Sequence, residues 1–159
     1  ISGIDTTEAL VEANRMRQEG MDVYAIPYDY RDACAEAEDA CLGVPYFNWG
    51  PEYVDIITSA KDGTFEPYFA WIPPNWEDIN DPDSSIVGFV KGTALGDDQA
   101  DQVDAFIAEL AGGLNLWTGP INLQDGTEYI ADGETASDYE VWYLPQLLEG
   151  MEGLSTAAE

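Results

Sequence analysis

The chain has 159 residues, 45% hydrophobic and 12% aromatic, enough to bury one sizeable core as one domain or one piece of a larger one, which excludes a disordered chain. Its 32 acidic and 5 basic residues leave a net charge of -27, which excludes nucleic acid and anionic membrane surfaces as partners because close approach is repelled rather than rewarded by counterion release. Lys91 is the last basic residue, and the 68 residues beyond it carry 14 carboxylates that only mobile cations can balance, a composition suited to a saline setting.

No apolar run is long enough to span a bilayer, and the chain opens at Ile1 without a signal peptide or lipobox cysteine, which reads as a fragment or a processed chain. The first element is a short apolar run. Asp5, with Glu8 three residues later, then marks a helix start; Ala9, Ala13 and Met16 share one face, and Gly20 stops the helix. "DVYAI" follows as a second strand, and this strand, helix, strand order with tight joints predicts a parallel α/β layer. In open α/β sheets ligands bind beyond the strand ends, which singles out Asp5 and Thr6 after the first strand and Tyr28 and Asp29 after the second. Asp5 is also explained as a helix cap, whereas Asp29 in "IPYDY" precedes no helix start.

Cys34 and Cys41 enclose six residues in "DACAEAEDACLG". A disulfide there would contribute about 2.5 kcal/mol in the chain-entropy model and belong outside the cytoplasm; two free thiols are the alternative, since spacing alone does not prove pairing. A metal site is disfavoured because the chain has no His and no second cysteine pair.

"LGVPYFNW" reads as a strand in which Tyr46, Phe47 and Trp49 divide between a core face and a face able to stack on a planar ligand. Two helices follow the same apolar spacing: Tyr53, Ile56, Ile57 and Ala60 before Gly63, and Val103, Phe106, Ile107 and Leu110 before Gly112-Gly113. Both are expected to pack one face onto a sheet. Between them lie strand candidates "YFAWI" and "SIVGFV" and the loop "PPNWEDINDPDSS". The remaining candidates are "LNLWTG", turned by Gly119-Pro120 and Asp125-Gly126, then "TEYIA" and a last helix from Ser137 with Glu140 completing its cap and Pro145 bending or interrupting it.

Catalytic patterns are sparse. Histidine triads are excluded by the absence of His, a cysteine nucleophile lacks its usual base, and no phosphate-binding Gly-rich loop occurs. "DINDPDSSIVGF" imitates a calcium loop, but Pro82 stands at the third ligand position and Asp83 replaces the turn glycine, so an EF-hand is rejected. A glycosidase carboxylate pair can be drawn from 32 acidic residues, yet none is isolated in apolar surroundings.

Four stretches together resemble the basic membrane lipoprotein family, the purine-nucleoside-receptor-like substrate-binding proteins of ABC transporters. "NWGPEYVDIITSAKDGTF" is similar to that family's Asn-Trp-Gly-Pro-Tyr-Tyr helix with its terminal Asp-Gly-Thr, and "LWTGPINLQDG" to its phenylalanine-x-Gly-Pro-Ile strand and turn. "YAIPYDY" resembles its Gly-Tyr-Asp-Ser-Asp segment, and "DGETASDYEVWYLPQLLEGMEG" its closing helix. The resemblance implies α/β architecture in a type I periplasmic-binding-protein-like fold: a parallel sheet flanked by helices, with crossing strands between two lobes. The chain would be its C-terminal portion, with residues 1–41 in the second lobe, 42–118 supplying crossing strands and a returning segment, and 119–159 the C-terminal turn and closing helix. It places Asp29 on the family's ribose-contacting Asp and Asp5 on its Thr-Asp-Ser loop.

At Phe47 the sequence departs from the Lys that several nucleoside binders offer near this place, and an aromatic there favours ring stacking over hydrogen bonds to hydroxyls. The implied protein is an extracytoplasmic solute-binding protein without catalysis, cofactor or metal, which captures a small ligand, a nucleoside or another ring-containing solute. It would hand that ligand to an ABC transporter permease and touch the membrane only through an upstream lipid anchor. In that setting Cys34 and Cys41 are expected to pair. Competing readings are a carbohydrate-active enzyme and an acidic surface-layer or structural protein.

Overall fold

A computed structural model describes residues 6–155, so the opening apolar run and Asp5 lie outside the described residues. The chain divides into two units, Ile1–Phe106 and Ile107–Glu159, with one helix running across the division. No helix among the described residues is long and apolar enough to cross a membrane.

In the first unit, α1 spans Glu8–Gln18. Its covered face is Leu10 and Ala13; Met16 is half-buried and Ala9 is exposed, so the covered stripe lies one position away from the expected one. Gly20, at φ 92, ends the segment in a conformation glycine adopts without strain. Leu10 and Ala13 pack on Ala33 and Ala40 of two short 3-10 turns, Ala33–Glu36 and Glu38–Ala40, and on Ala37 between them, together with Cys41, Val44 and Tyr46. Small side chains at 33, 37 and 40 let the turns lie close to α1, and burial of this cluster is what holds the helix.

Cys34 and Cys41 form a disulfide, the pairing that the resemblance implies. It closes the double turn directly onto β1, Gly43–Phe47. Replacing both cysteines with serine should cost about 2.5 kcal/mol by returning loop entropy to the unfolded chain. A urea midpoint unchanged between the oxidised protein and the double variant would remove that role.

β1 pairs antiparallel with β2, Val87–Lys91, in a register that sets Tyr46 opposite Gly88 and Phe47 opposite Val87. Alternation along β1 sends Val44 and Tyr46 into the core and leaves Pro45 and Phe47 half-buried on the other face. The expected parallel sheet is therefore corrected: among the described residues the chain is a mixed α/β protein with small antiparallel sheets. Parallel pairing survives as two isolated bridges, Ala25 to Cys41 and Asp29 to Tyr46, which lay residues 25–29 along residues 41–46 without a continuous ladder.

α2, Gly50–Asp62, forms where its end signals predict, with Pro51 in the first turn and Gly63 left-handed at φ 71. α3 spans Asp97–Ala111. Neither helix has a buried residue, against the expectation that both pack onto a sheet: Ile57 is 67% exposed and Phe106 44%. Local caps and spacing are enough to specify these helices, but they carry no information about what covers the apolar face.

"YFAWI" is likewise not a strand. Pro67 before it and Pro73-Pro74 after it remove backbone donors, and the segment takes no regular secondary structure and leaves its side chains exposed. The loop that follows is built from its own polar groups: Asp78 and Asp81 carboxylates accept from backbone N–H groups two residues on, and the Asn48 amide donates to the carbonyls of Pro82 and Ser85, each at 2.8 Å.

In the second unit, β3, Ile121–Asn122, pairs antiparallel with β4, Glu128–Ile130, across the expected Asp125-Gly126 turn. Gly126 sits at φ 85, and the Asp125 carboxylate accepts from the Thr127 N–H at 2.9 Å. Leu123 and Ile130 are the buried apolar side chains here. "LNLWTG" contributes one antiparallel bridge, Thr118 to Thr135, while Leu116 stays 63% exposed, so the segment is not the core strand its composition predicts. α4, Asp138–Trp142, has the complete capping box expected of Ser137 and Glu140, and it ends before Pro145.

Candidate functional site

The site begins with the backbone of Asp29. Buried Pro27 fixes the approach, and the Asp29 N–H donates to the Pro45 carbonyl at 3.0 Å while its own carbonyl accepts from the Phe47 N–H at 3.4 Å. Held by β1 on both sides, Asp29 stands at φ 78, the one non-glycine residue with positive φ among the described residues. Aspartate tolerates this left-handed region better than most residues, but the conformation still costs free energy, and such strain concentrates at functional sites. No hydrogen bond or ion pair among the described residues engages its carboxylate. It lines a cavity of about 310 Å³ with Thr6, Thr7, Tyr28, Tyr30 and Ala33.

Three of the expected site residues, Thr6, Tyr28 and Asp29, thus share one cavity wall; Asp5 lies outside the described residues. Phe47 and Trp49 line a second cavity, of about 520 Å³, whose other walls come from α2, the irregular segment after it and the start of β2, including Glu52, Tyr53, Ile56, Tyr68 and Val87. Tyr28 on the wall of the first cavity contacts Phe47 on the wall of the second edge to face, with centroids 5.8 Å apart and planes at 88°. Phe47 continues to Trp49 at 5.2 Å, and Trp49 to Tyr53 at 6.4 Å with planes within 22°. The series follows from the chain itself, since β1 alternation turns Phe47 away from the core and the spacing of Trp49 and Tyr53 stacks them along the start of α2.

Glu52, Tyr53 and Tyr68 were missed by sequence reasoning. Tyr53 was readable, because it follows Trp49 by four residues on a helix; it was assigned instead to a sheet-packing face. Tyr68 had no local signal. Its hydroxyl donates to the Glu52 carboxylate at 2.7 Å, and that anion pushes the Tyr68 phenol above its ordinary range. Carboxylates elsewhere move the opposite way: Ser84 and the Asp83 backbone lower Asp81, and Gln146 and Thr127 lower Asp125. A general acid needs an upward shift, so these groups are structural acceptors rather than catalytic candidates.

A third, polar cavity of about 430 Å³ contains Arg17, but that guanidinium is already placed 4.0 Å over the Tyr24 ring and 3.7 Å from the Asp22 carboxylate. Among the described residues no acidic, cysteine or histidine cluster has the arrangement of a metal site.

No protein-family model matches the chain. A purine-binding protein of Brucella abortus (strain 2308) is 33% identical over 105 residues, 64% of this chain and 27% of the relative. The chain therefore spans about a quarter of the length of the curated relative it matches, and its similarity to a purine-binding protein is partial and distant.

Proposed function

We propose that this chain is the C-terminal portion of an extracytoplasmic solute-binding protein with a type I periplasmic-binding-protein-like fold, which captures a ring-containing solute and delivers it to an ABC importer. The observation that carries the reading is Asp29: a strained aspartate clamped to β1, its carboxylate without a hydrogen bond or ion pair among the described residues, next to a row of aromatic rings. A ring stacked along Phe47 and Trp49 with a polar edge turned to Asp29 uses both halves of that arrangement, apolar area for affinity and one charge-assisted hydrogen bond for orientation. Similarity to a purine-binding protein makes purines and their nucleosides the first ligands to test. The disulfide accords with life outside the cytoplasm. On this reading the protein binds and releases its solute unchanged.

Native mass spectrometry of the full-length protein, purified without refolding, should reveal a co-purified small molecule of purine or nucleoside mass. A spectrum of bare protein that also takes up no member of a purine and nucleoside panel would contradict the proposal.

A further inference from the structure

The two cavities have one electrostatic feature in common. Asp29 is the charged residue on the wall of the first and Glu52 on the wall of the second, and no Lys or Arg lines either among the described residues. Glu52 accepts from the Tyr68 hydroxyl on the wall of the second cavity, and Trp49 and Tyr53, stacked on one another, line the same cavity. The N-terminus of α2 supplies a partial positive charge nearby, which Glu52 in the first turn offsets. Resting on the solute-binding reading above, we infer that the solute is a cationic nitrogen heterocycle, its positive ring placed against Trp49 and Tyr53 and neutralised by Glu52, with Asp29 accepting a hydrogen bond from its polar edge. Aromatic faces attract cations through the ring quadrupole, most strongly for tryptophan, and a carboxylate at the same wall adds to that attraction. A phosphorylated or carboxylated solute would meet Asp29 and Glu52 with no Lys or Arg on either wall among the described residues, and is disfavoured by the same arrangement.

The test compares matched pairs of neutral rings and rings cationic at neutral pH by calorimetry on the full-length protein: adenosine against 1-methyladenosine, and nicotinamide against 1-methylnicotinamide. Each cationic member should bind at least about tenfold more tightly than its neutral partner. The preference should persist at about 1 M salt, where the Debye length of about 3 Å removes the long-range field of the acidic surface but not a contact. Glu52→Gln should move the ratio toward one. Equal binding within either pair, or a preference that vanishes at high salt, would overturn the cationic assignment and leave the ring-binding reading standing. Failure of all four probes to bind would overturn both.

Discussion

Gly92→Ala should destabilise the protein by about 3 kcal/mol, lowering its melting temperature by roughly 10 °C. Gly92 follows β2 and passes so close to β1 that an added Cβ would overlap the carbonyl oxygen of Cys41, a backbone atom that cannot rotate away. The same crossing carries two hydrogen bonds, Gly92 N–H to the Leu42 carbonyl at 2.9 Å and Ala94 N–H to the Cys41 carbonyl at 3.2 Å. A methyl group therefore forces apart the strand that anchors both the disulfide and the Asp29 clamp. Gly20→Ala is the control, because open space surrounds that position and its φ of 92 is the sole obstacle. It should cost about 1 kcal/mol, and equal losses for the two variants would show that the close approach is not what requires glycine at position 92.

Stability should rise steeply with sodium chloride. Two like charges 10 Å apart in water repel by about 0.4 kcal/mol, and a net charge of -27 multiplies that interaction over many pairs. Ion pairs relieve little of it: Arg15 serves Glu12 and Glu19, Arg17 meets Asp22, and Lys91 meets Asp104, all at partly or fully exposed positions. With a Debye length of about 30 Å at 0.01 M and about 3 Å at 1 M, the melting temperature should climb on the order of 10 °C across that range.

Acidification from neutral pH should act in the same direction as its protons reduce the net charge, until a second effect takes over. Asp125 and Glu140 have carboxyl groups held below their ordinary values, the first by Gln146 and Thr127, the second by the Ser137 backbone and hydroxyl. A depressed carboxylate stabilises the fold above its unfolded pKa and loses that contribution as pH falls through the lower folded value. At low salt the melting temperature should pass through a maximum on the acid side of neutral and decline below about pH 4. A midpoint independent of salt at neutral pH would mean that the acidic residues are too dispersed to matter.

What could be read from the sequence was local. The helix ends at Gly20 and Gly63, the capping box of Ser137 and Glu140 and the Asp125-Gly126 turn are decided by side chains within four residues of one another, and all of them are present. Strand partners are decided at long range, and there the reading failed. "YFAWI", flanked by prolines, has strand composition without strand pairing, "LNLWTG" keeps a single bridge, and the parallel layer predicted from the opening run and "DVYAI" leaves only isolated parallel bridges, its first strand lying outside the described residues. The site was legible in the same proportion. Tyr28 and Asp29 share a cavity with Thr6, and Phe47 and Trp49 adjoin them through the Tyr28 ring; Tyr53 was legible from its helical spacing to Trp49, but Tyr68 enters only because the chain after α2 returns to Glu52 on that helix.

The most direct test is calorimetric titration of the full-length protein and its Asp29→Asn variant with purines and nucleosides. Asparagine keeps the size and the left-handed tolerance of aspartate while removing its charge, so the melting temperature should be unchanged. Replacing a charge-assisted hydrogen bond should weaken binding by about 1 to 3 kcal/mol, roughly 5- to 150-fold. Tight binding by the parent protein with that loss in the variant is the predicted result; equal affinity of the two proteins, or a parent protein that binds none of these ligands, would contradict it.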